Sequence, residues 1–162
     1  GYKYTLEDWN DLVKGIKALS QTKNIKPIIV TSRRTNVDHE NFIYKQLAGY
    51  ADNLSVWAGN DSSKLDLEKL FMSVDNIFVT EESATMMSEA ISSGISVCSL
   101  APKNTQPNKL FLDQLERYTE MNLLERMRFD SNLSNTKSRD DNTLIVSDIR
   151  NTLKKHILER IK

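Results

Sequence analysis

The sequence predicts an α/β fold in which a parallel sheet lies between layers of helices. Short apolar runs that are rich in β-branched residues, such as residues 27–31 and 77–79, predict buried strands. Longer segments between these runs repeat their apolar residues at helical spacing. The predicted order of elements is α-β-α-β-α-β-α-β-α, and 162 residues suffice for one domain with a substantial core.

The stretch of residues 75–100 shows this pattern most clearly. It opens with an apolar run that predicts a buried strand, and the polar residues 80–83 predict the turn that follows. Ser83 is a good N-cap for the next helix, and Gly94 is placed to end that helix in a left-handed conformation. Residues 95–100 then return as a second strand. In parallel α/β sheets, ligands bind at loops of this kind, outside the carboxyl ends of the strands.

The same periodicities assign the other elements. Thr5 and Asp8 resemble a capping box at the start of the first helix, with Asp in place of the usual Glu. The polar residues 130–142 predict a mobile connection to a last helix at 143–161, whose apolar residues form one stripe. The other predicted helices cover residues 5–20, 37–49, 65–71, 84–93, 108–120 and 122–127, and the predicted strands cover residues 27–31, 54–57, 77–79 and 95–100.

Composition excludes several functional classes. Lysine plus arginine number 22, as do aspartate plus glutamate, so the basic excess typical of nucleic-acid binding is missing and we expect no nucleic-acid partner. The single cysteine, Cys98, provides no disulfide framework and no metal cluster, which suits a reducing compartment. No apolar run approaches the roughly 20 residues that span a bilayer, and no signal peptide is evident. We therefore expect a soluble, cytoplasmic domain without a metal or a membrane-spanning segment.

Three polar loops follow predicted strands, at residues 32–35, 80–83 and 101–106, and the predicted topology places them on one rim of the sheet. In the first loop, Arg33 and Arg34 permit two interpretations. They are either solvated loop residues or a clamp for phosphate, since guanidinium groups bind phosphate oxygens bidentately. In the second case, the hydroxyl groups of Ser32 and Thr35 would add hydrogen-bond donors.

The acidic residues Glu81, Glu82 and Glu89 also permit two interpretations. Thr85 and Glu89 are four residues apart on the predicted helix and share a face, so Glu89 could accept hydrogen bonds from the paired hydroxyls of a sugar. The amides of residues 83–85 would then face an anion at the helix N-terminus. The alternative is that these loop glutamates interact favourably with the helix dipole and bind no ligand.

These residues carry a resemblance to known proteins. Residues 80–90, with Ser93-Gly94 and the strand after them, resemble the nucleotide-sugar half of a GT-B glycosyltransferase. More narrowly, the chain is similar to the mitochondrial-fission (elongated-mitochondria) family. That family has a Thr-Ser-Arg-Arg-Thr segment after one strand, matched by residues 31–35, and a Val-Thr-x-Asp-Ser-x-Ser-Met-x-Ser-Glu-Ala segment after a later strand, matched by residues 79–90. The resemblance covers roughly residues 1–120.

The match has specific departures. Glu82 stands where the family motif has Asp, Thr85 stands where it has Ser, and Ser96 stands where a proline is expected. The family's Asn-Pro-Tyr before the helix at 65–71 is replaced by residues 60–63. These differences concern the shape of the loops, and the expected fold is unaffected.

The resemblance implies that residues 1–162 form a single Rossmann-like domain, the C-terminal half of a GT-B fold, whose N-terminal domain and first strand are absent. The domain would bind a nucleoside-diphosphate sugar as substrate, with no cofactor. Its implied contacts divide by ligand group. Ser32, Arg33 and Arg34 would contact the diphosphate, with Ser83 and Thr85 near phosphate; Glu89 would hold the ribose hydroxyls, and Glu81 or Glu82 would face the sugar.

The implied activity is that of the donor-binding domain of a glycosyltransferase. The sequence identifies no catalytic residue, and the acceptor site would lie on the absent N-terminal domain, so this chain should bind the donor without turning it over. A second hypothesis is a non-enzymatic interaction module, which the mitochondrial-fission role of the plant relatives suggests. A third is a nucleotide-sugar epimerase, because such enzymes share the GT-B fold.

Overall fold

The computed structural model describes residues 4–32, 35–55, 66–103, 107–136, 146–148 and 151. It confirms the predicted class, an α/β fold with a parallel sheet flanked by helices. In chain order, its elements are α1 (Leu6–Lys23), β1 (Ile28–Val30), α2 (Val37–Leu47), β2 (Asp52–Ser55), α3 (Leu67–Phe71), β3 (Asn76–Thr80), α4 (Ala84–Ser92), β4 (Ser96–Ala101), α5 (Lys109–Glu120), β5 (Glu125–Arg128) and a 3-10 helix (Leu133–Asn135).

The described strands form two sheets, and every pairing within them is parallel. β1 pairs with β2, and the second sheet has the order β3-β4-β5. In the second sheet, Val79 lies opposite Ser99, which in turn lies opposite Arg126. Helices connect the successive strands of each pair, as parallel pairing requires.

One predicted element is wrong. Residues 122–127 were expected to be helical, but Glu125–Arg128 form β5 on the edge of the second sheet. Leu, Glu, Arg and Met all favour helices, so local propensity supports the wrong state. Along this strand, half-buried and exposed residues alternate, which is the period of a strand. Tertiary pairing with β4 therefore overrides the local preference.

The predicted caps at Thr5, Ser83 and Gly94 agree with the structure, whereas α1 continues to Lys23, three residues beyond its predicted end. The Thr5–Asp8 capping box is present in full, and the side chain of Ser83 caps α4 by accepting from the Met86 amide. Gly94 has a φ of +80°, a conformation that glycine adopts without strain, so it ends α4 as expected.

Two apolar clusters cover the two faces of the second sheet. Neighbouring residues of a strand point to opposite faces, and in β4 Val97 and Cys98 accordingly belong to different clusters. Helices α1 and α2 supply most of the first cluster, and α4 and α5 supply much of the second. The first contains Trp9, Leu12, Val13, Ile16, Leu19, Ile43, Leu47, Ala51, Cys98, Leu100, Phe129 and Leu133. The second contains Phe71, Ile77, Val79, Met87, Ala90, Ile91, Val97, Leu115, Leu123, Leu124 and Val146.

The chain beyond β5 packs back onto α1. Leu133, in the 3-10 helix, is buried in the first cluster, and a Cβ atom on Gly15 would lie 3.2 Å from its Cδ1 atom. The beginning of the predicted polar connection at 130–142 is therefore fixed to the core up to residue 136. The predicted last helix at 143–161 lies mostly outside the described residues, although Val146 is helical and buried in the second cluster.

Contacts of α1 show that the strands end at one common rim. The Tyr4 hydroxyl donates to Glu82, after β3, and the Lys103 amide donates to Asp8 Oδ1 across 3.2 Å, after β4. The Trp9 ring lies 5.3 Å from the ring of His39, in the first turn of α2 after β1. The N-terminus of α1 therefore lies beside the carboxyl ends of β1, β3 and β4.

Asp8 has two structural tasks at this point. Its carboxylate accepts from the Thr5 amide and hydroxyl, each across 2.8 Å, and from the Lys103 amide. Burial raises the pKa of the Asp8 carboxyl, but the hydrogen bonds from Thr5 and Lys103 outweigh burial and hold that pKa below its ordinary value. The ionised form of Asp8 is therefore the one that the fold stabilises.

A partly buried ion pair joins the loop after β3 to β5, and a hydrogen bond from β4 supports it. Arg126 Nε donates to Glu81 Oε1 across 2.7 Å, and a second guanidinium nitrogen donates to Oε2 across 3.0 Å. The Ser99 hydroxyl donates to the same Oε1 atom from β4, across 3.0 Å. The Glu81 side chain has no exposed surface, whereas that of Arg126 is 33% exposed. Glu81 therefore depends on Arg126 for compensation of its charge.

We expect Asp8→Asn to lower the free energy of unfolding by about 1–3 kcal/mol at neutral pH, because buried charge-assisted hydrogen bonds are lost. A carboxyl group whose pKa is lower in the folded state than in the unfolded state stabilises the fold at pH values above its unfolded-state pKa. This contribution is lost as the pH falls through its folded-state pKa. When the free energy of unfolding is measured with urea, the difference between wild type and variant should therefore shrink below about pH 4. The exposed Asp38→Asn is the control, and a difference that stays constant with pH would contradict the assignment.

We expect Arg126→Met to lower the free energy of unfolding by about 3 kcal/mol. This is the lower end of the range for a broken buried ion pair, because the Arg126 side chain is 33% exposed. The double variant Glu81→Met/Arg126→Met should recover part of this loss, since no buried charge remains. Arg128→Met is the matched control on the same strand, because its pair with Asp130 is exposed and should contribute at most about 1 kcal/mol. Equal losses for Arg126→Met and Arg128→Met would refute the structural role of the pair.

Candidate functional site

The candidate site is the rim where β1, β3 and β4 end. Its first part is a turn closed by Ser32 and Thr35, in which the Thr35 amide donates to the Ser32 carbonyl across 2.8 Å. The Ser32 amide donates in return to the Thr35 hydroxyl across 3.3 Å. Arg33 and Arg34 lie between them in the sequence and outside the described residues. The hydrogen bonds therefore fix both ends of the segment that carries the predicted phosphate clamp.

A buried polar cluster supports this turn from below. Thr31, directly before it, donates its hydroxyl to the carboxylate of Glu40 in α2, and both residues are buried. Burial raises the pKa of the Tyr44 phenol, a hydrogen bond with Thr31 opposes this shift, and the negative charge of the Glu40 carboxylate adds to it. Tyr44 therefore keeps its proton at neutral pH and can serve as a donor to Glu40.

The second part of the rim is the loop after β3, where adjacent glutamates have different surroundings. Glu81 points into the protein, and both of its carboxylate oxygens accept from Arg126. Glu82 is half-buried and accepts from the hydroxyls of Tyr4 and Thr80, the latter across 2.8 Å. The two hydroxyls therefore hold the Glu82 carboxylate at the rim, beside the start of α1.

The third part is the start of α4. Ser83 caps this helix, which has no acidic residue in its first turn. Thr85 and Glu89 lie four residues apart on one face, and both are exposed. Neither side chain makes a hydrogen bond or an ion pair with the described part of the chain, so both are accessible to a ligand.

The structure thus places only some of the predicted site residues at the rim. Ser32, Thr35, Glu82 and Ser83 belong to the rim, and Thr85 and Glu89 continue from it along the exposed face of α4. Glu81 is adjacent to the rim in sequence, yet its carboxylate is enclosed by the sheet. Ligand binding by each of these residues stays a prediction.

Several residues that shape the rim were missed from the sequence. For the segment that contains Glu40 and Tyr44, the sequence predicts only a helix. It also predicts a helix for the segment of Arg126, which lies in β5. Tyr4 and Lys103 act across long sequence separations, and no local pattern identifies such partners. Leu123-Leu124 followed by alternating residues was the one local signal for β5, and four residues are too few to distinguish it from a helix.

Within the described ranges, no group of three or more His, Cys, Asp or Glu side chains is arranged to hold a metal ion. The helices in those ranges are too short or too polar to cross a membrane.

Comparison with known proteins identifies the family. The family model described as mitochondrial fission ELM1 matches residues 1–142, which include every part of the rim described above. No curated protein and no solved structure matches the chain. Because the family model covers most of the sequence, the chain belongs to the mitochondrial fission ELM1 family.

Proposed function

We propose that this domain binds a nucleoside-diphosphate sugar at the rim and forms the donor-binding half of a GT-B glycosyltransferase. The observation that carries the proposal is the exposed pair of Thr85 and Glu89 on α4, which has no partner among the described residues. The pair continues directly from a capped helix N-terminus at the carboxyl end of β3, which is where parallel α/β sheets bind ligands.

Glu89 would bind the ribose of the nucleotide. A carboxylate accepts two hydrogen bonds at once, and the adjacent 2′- and 3′-hydroxyls of a ribose present two donors at matching spacing. Exposure matters here, because Glu89 has no hydrogen bond to another described residue that a ligand would have to replace. Thr85, one turn earlier on the same face, would extend the contact towards the phosphates.

The diphosphate would lie between the start of α4 and the turn at residues 32–35. The first amides of a helix have no partners within the helix and carry a partial positive charge, so they favour anions. The first turn of α4 contains no acidic residue, and the nearest carboxylate along the chain before it, that of Glu82, is held by Tyr4 and Thr80. Arg33 and Arg34 would supply full positive charges from the opposite side, on a turn anchored through Thr31 and Glu40.

Glu82 is the more suitable of the two loop glutamates for contact with the sugar. Tyr4 and Thr80 fix its carboxylate at the rim without enclosing it. Glu81, by contrast, would have to break its hydrogen bonds with Arg126 and Ser99 before it could contact a ligand. The cost of separating such a pair argues that Glu81 shapes the loop and Glu82 meets the ligand.

In the proposed reaction, this domain contributes electrostatic stabilisation. Cleavage of the bond between sugar and phosphate leaves negative charge on the nucleoside diphosphate, and Arg33, Arg34 and the α4 amides would stabilise that charge. The acceptor and any catalytic base would come from another domain. We therefore expect this chain to bind the donor without transferring its sugar.

The family description favours one other function, that of an interaction module in mitochondrial fission. Such a module would keep the fold, bind no nucleotide, and contact a partner through its surface. The exposed apolar residues Leu110 and Met121 on the outer side of α5 offer a surface of this kind. Nucleotide affinity discriminates between the two functions.

We expect the double variant Arg33→Ala/Arg34→Ala to weaken nucleoside-diphosphate binding by at least about tenfold, because each charge-assisted hydrogen bond contributes about 1.5–3 kcal/mol. Calorimetric titration of the full-length protein with UDP, GDP, ADP and CDP would measure the change. Arg117→Ala, in the last turn of α5, is the control for a lost surface charge. Unchanged affinity with an unchanged unfolding midpoint would exclude the clamp, and wild-type silence across the panel would favour the interaction module.

We expect Glu89→Gln to abolish discrimination between ribose and 2′-deoxyribose. Wild type should bind the ribonucleotide about tenfold or more tightly than its 2′-deoxy analogue, because a hydrogen bond to a charged group is lost with the hydroxyl. In the variant, both should bind with similar, weaker affinity. Glu120→Gln, on α5, serves as the matched control. Discrimination that persists in Glu89→Gln would place the ribose elsewhere.

A further inference from the structure

One flank of α5 is an exposed groove with apolar residues at both ends. Leu110 is 81% exposed and Met121 is 48% exposed. The groove has a volume of about 500 Å³ and is lined by Leu110, Asp113, Gln114, Arg117, Tyr118 and Met121. Four of these residues are spaced by four, three and four positions, so they form one row along the helix. Such a row has the spacing with which one helix packs against another.

The C-terminal part of the chain enters the same apolar cluster as α5. Val146 is helical and buried in the second cluster, to which Leu115 of α5 also belongs. Ser147, Asp148 and Asn151 are helical and exposed. A buried residue followed by exposed ones indicates a helix that buries one side. Val146 therefore anchors an amphipathic helix to the cluster that α5 covers.

The residues after Val146 have the pattern of a helix that continues with the same buried side. Successive residues of an α-helix are about 100° apart, so Ile149, Leu153 and Ile157 would share with Val146 an arc of about 80°. Between residues 146 and 157 a helix is about 16 Å long, at 1.5 Å per residue. The row on α5 has the same length, because eleven positions also separate its two ends. The apolar side therefore matches the groove in length.

The charges of the two segments are complementary. Residues 147–162 contain five Lys and Arg residues and two Asp and Glu residues, so this segment has a positive net charge. Helix α5 contains three Asp and Glu residues and two Lys and Arg residues, and its net charge is negative. Opposite net charges favour contact between the two segments, more strongly at low ionic strength.

We propose that residues 146–161 dock as a helix in the groove on α5 and cover Leu110 and Met121. This segment fits the groove better than a second copy of the chain, because Val146 already holds it in the cluster that α5 covers. A short tether gives an effective concentration in the millimolar range, which another molecule in solution does not reach.

The docked helix goes beyond the proposed nucleotide site and does not require a nucleotide. It would cover the surface that the interaction-module alternative offers to a partner. A partner would therefore reach Leu110 and Met121 after the helix has left the groove. The C-terminal segment would in this way control access to the outer side of α5.

Trypsin cleavage of the full-length protein after Lys154 and Lys155 tests the docking, because a protease acts on a segment that has opened locally. We expect Leu110→Asp/Met121→Asp to accelerate cleavage at these two sites by about tenfold or more, since the new charges disfavour the apolar contact. Met72→Asp, which changes another exposed apolar residue at the end of α3, is the matched control. Equal cleavage rates in wild type and the groove variant would overturn the proposal.

Nuclear Overhauser contacts between methyl groups identify the occupant of the groove. We expect the methyl groups of Leu110 and Met121 to contact those of Leu153 and Ile157 within one molecule. Contacts that arise between differently labelled copies would indicate a second copy and overturn the proposal. Contacts with residues outside 146–161, or the lack of any contact from Leu110 and Met121, would overturn it as well.

Discussion

The rim depends on the way in which the first turn of α1 is held against the strands. Asp8 accepts hydrogen bonds from its own helix start and from the loop after β4, so a single buried carboxylate fixes two segments. Tyr4 links the same helix end to Glu82 after β3, and Trp9 contacts His39 after β1. Because all of these contacts lie at one helix end, a shift of α1 would displace three loops together. The loops of the candidate site are thus parts of one packed unit.

Three glutamates near α4 show how environment separates the roles of identical side chains. Glu81 is enclosed and neutralised by Arg126, Glu82 is half-buried between two hydroxyls, and Glu89 is exposed. A buried charge is committed to its partner, because separating the pair leaves both groups uncompensated. An exposed carboxylate can accept a ligand without that cost. The degree of burial therefore separates their roles. Glu81 supports the structure, Glu82 is held in one orientation at the rim, and Glu89 is an accessible hydrogen-bond acceptor.

Local chemistry made much of this fold predictable. The capping box at Thr5, the cap at Ser83 and the left-handed Gly94 are set by neighbouring residues, and their positions agree with the structure. β5 was missed because its helix-favouring residues become a strand only through pairing with β4. The partners of the site residues were missed for a related reason. Arg126 and Tyr4 reach Glu81 and Glu82 through the topology, which one sequence does not specify.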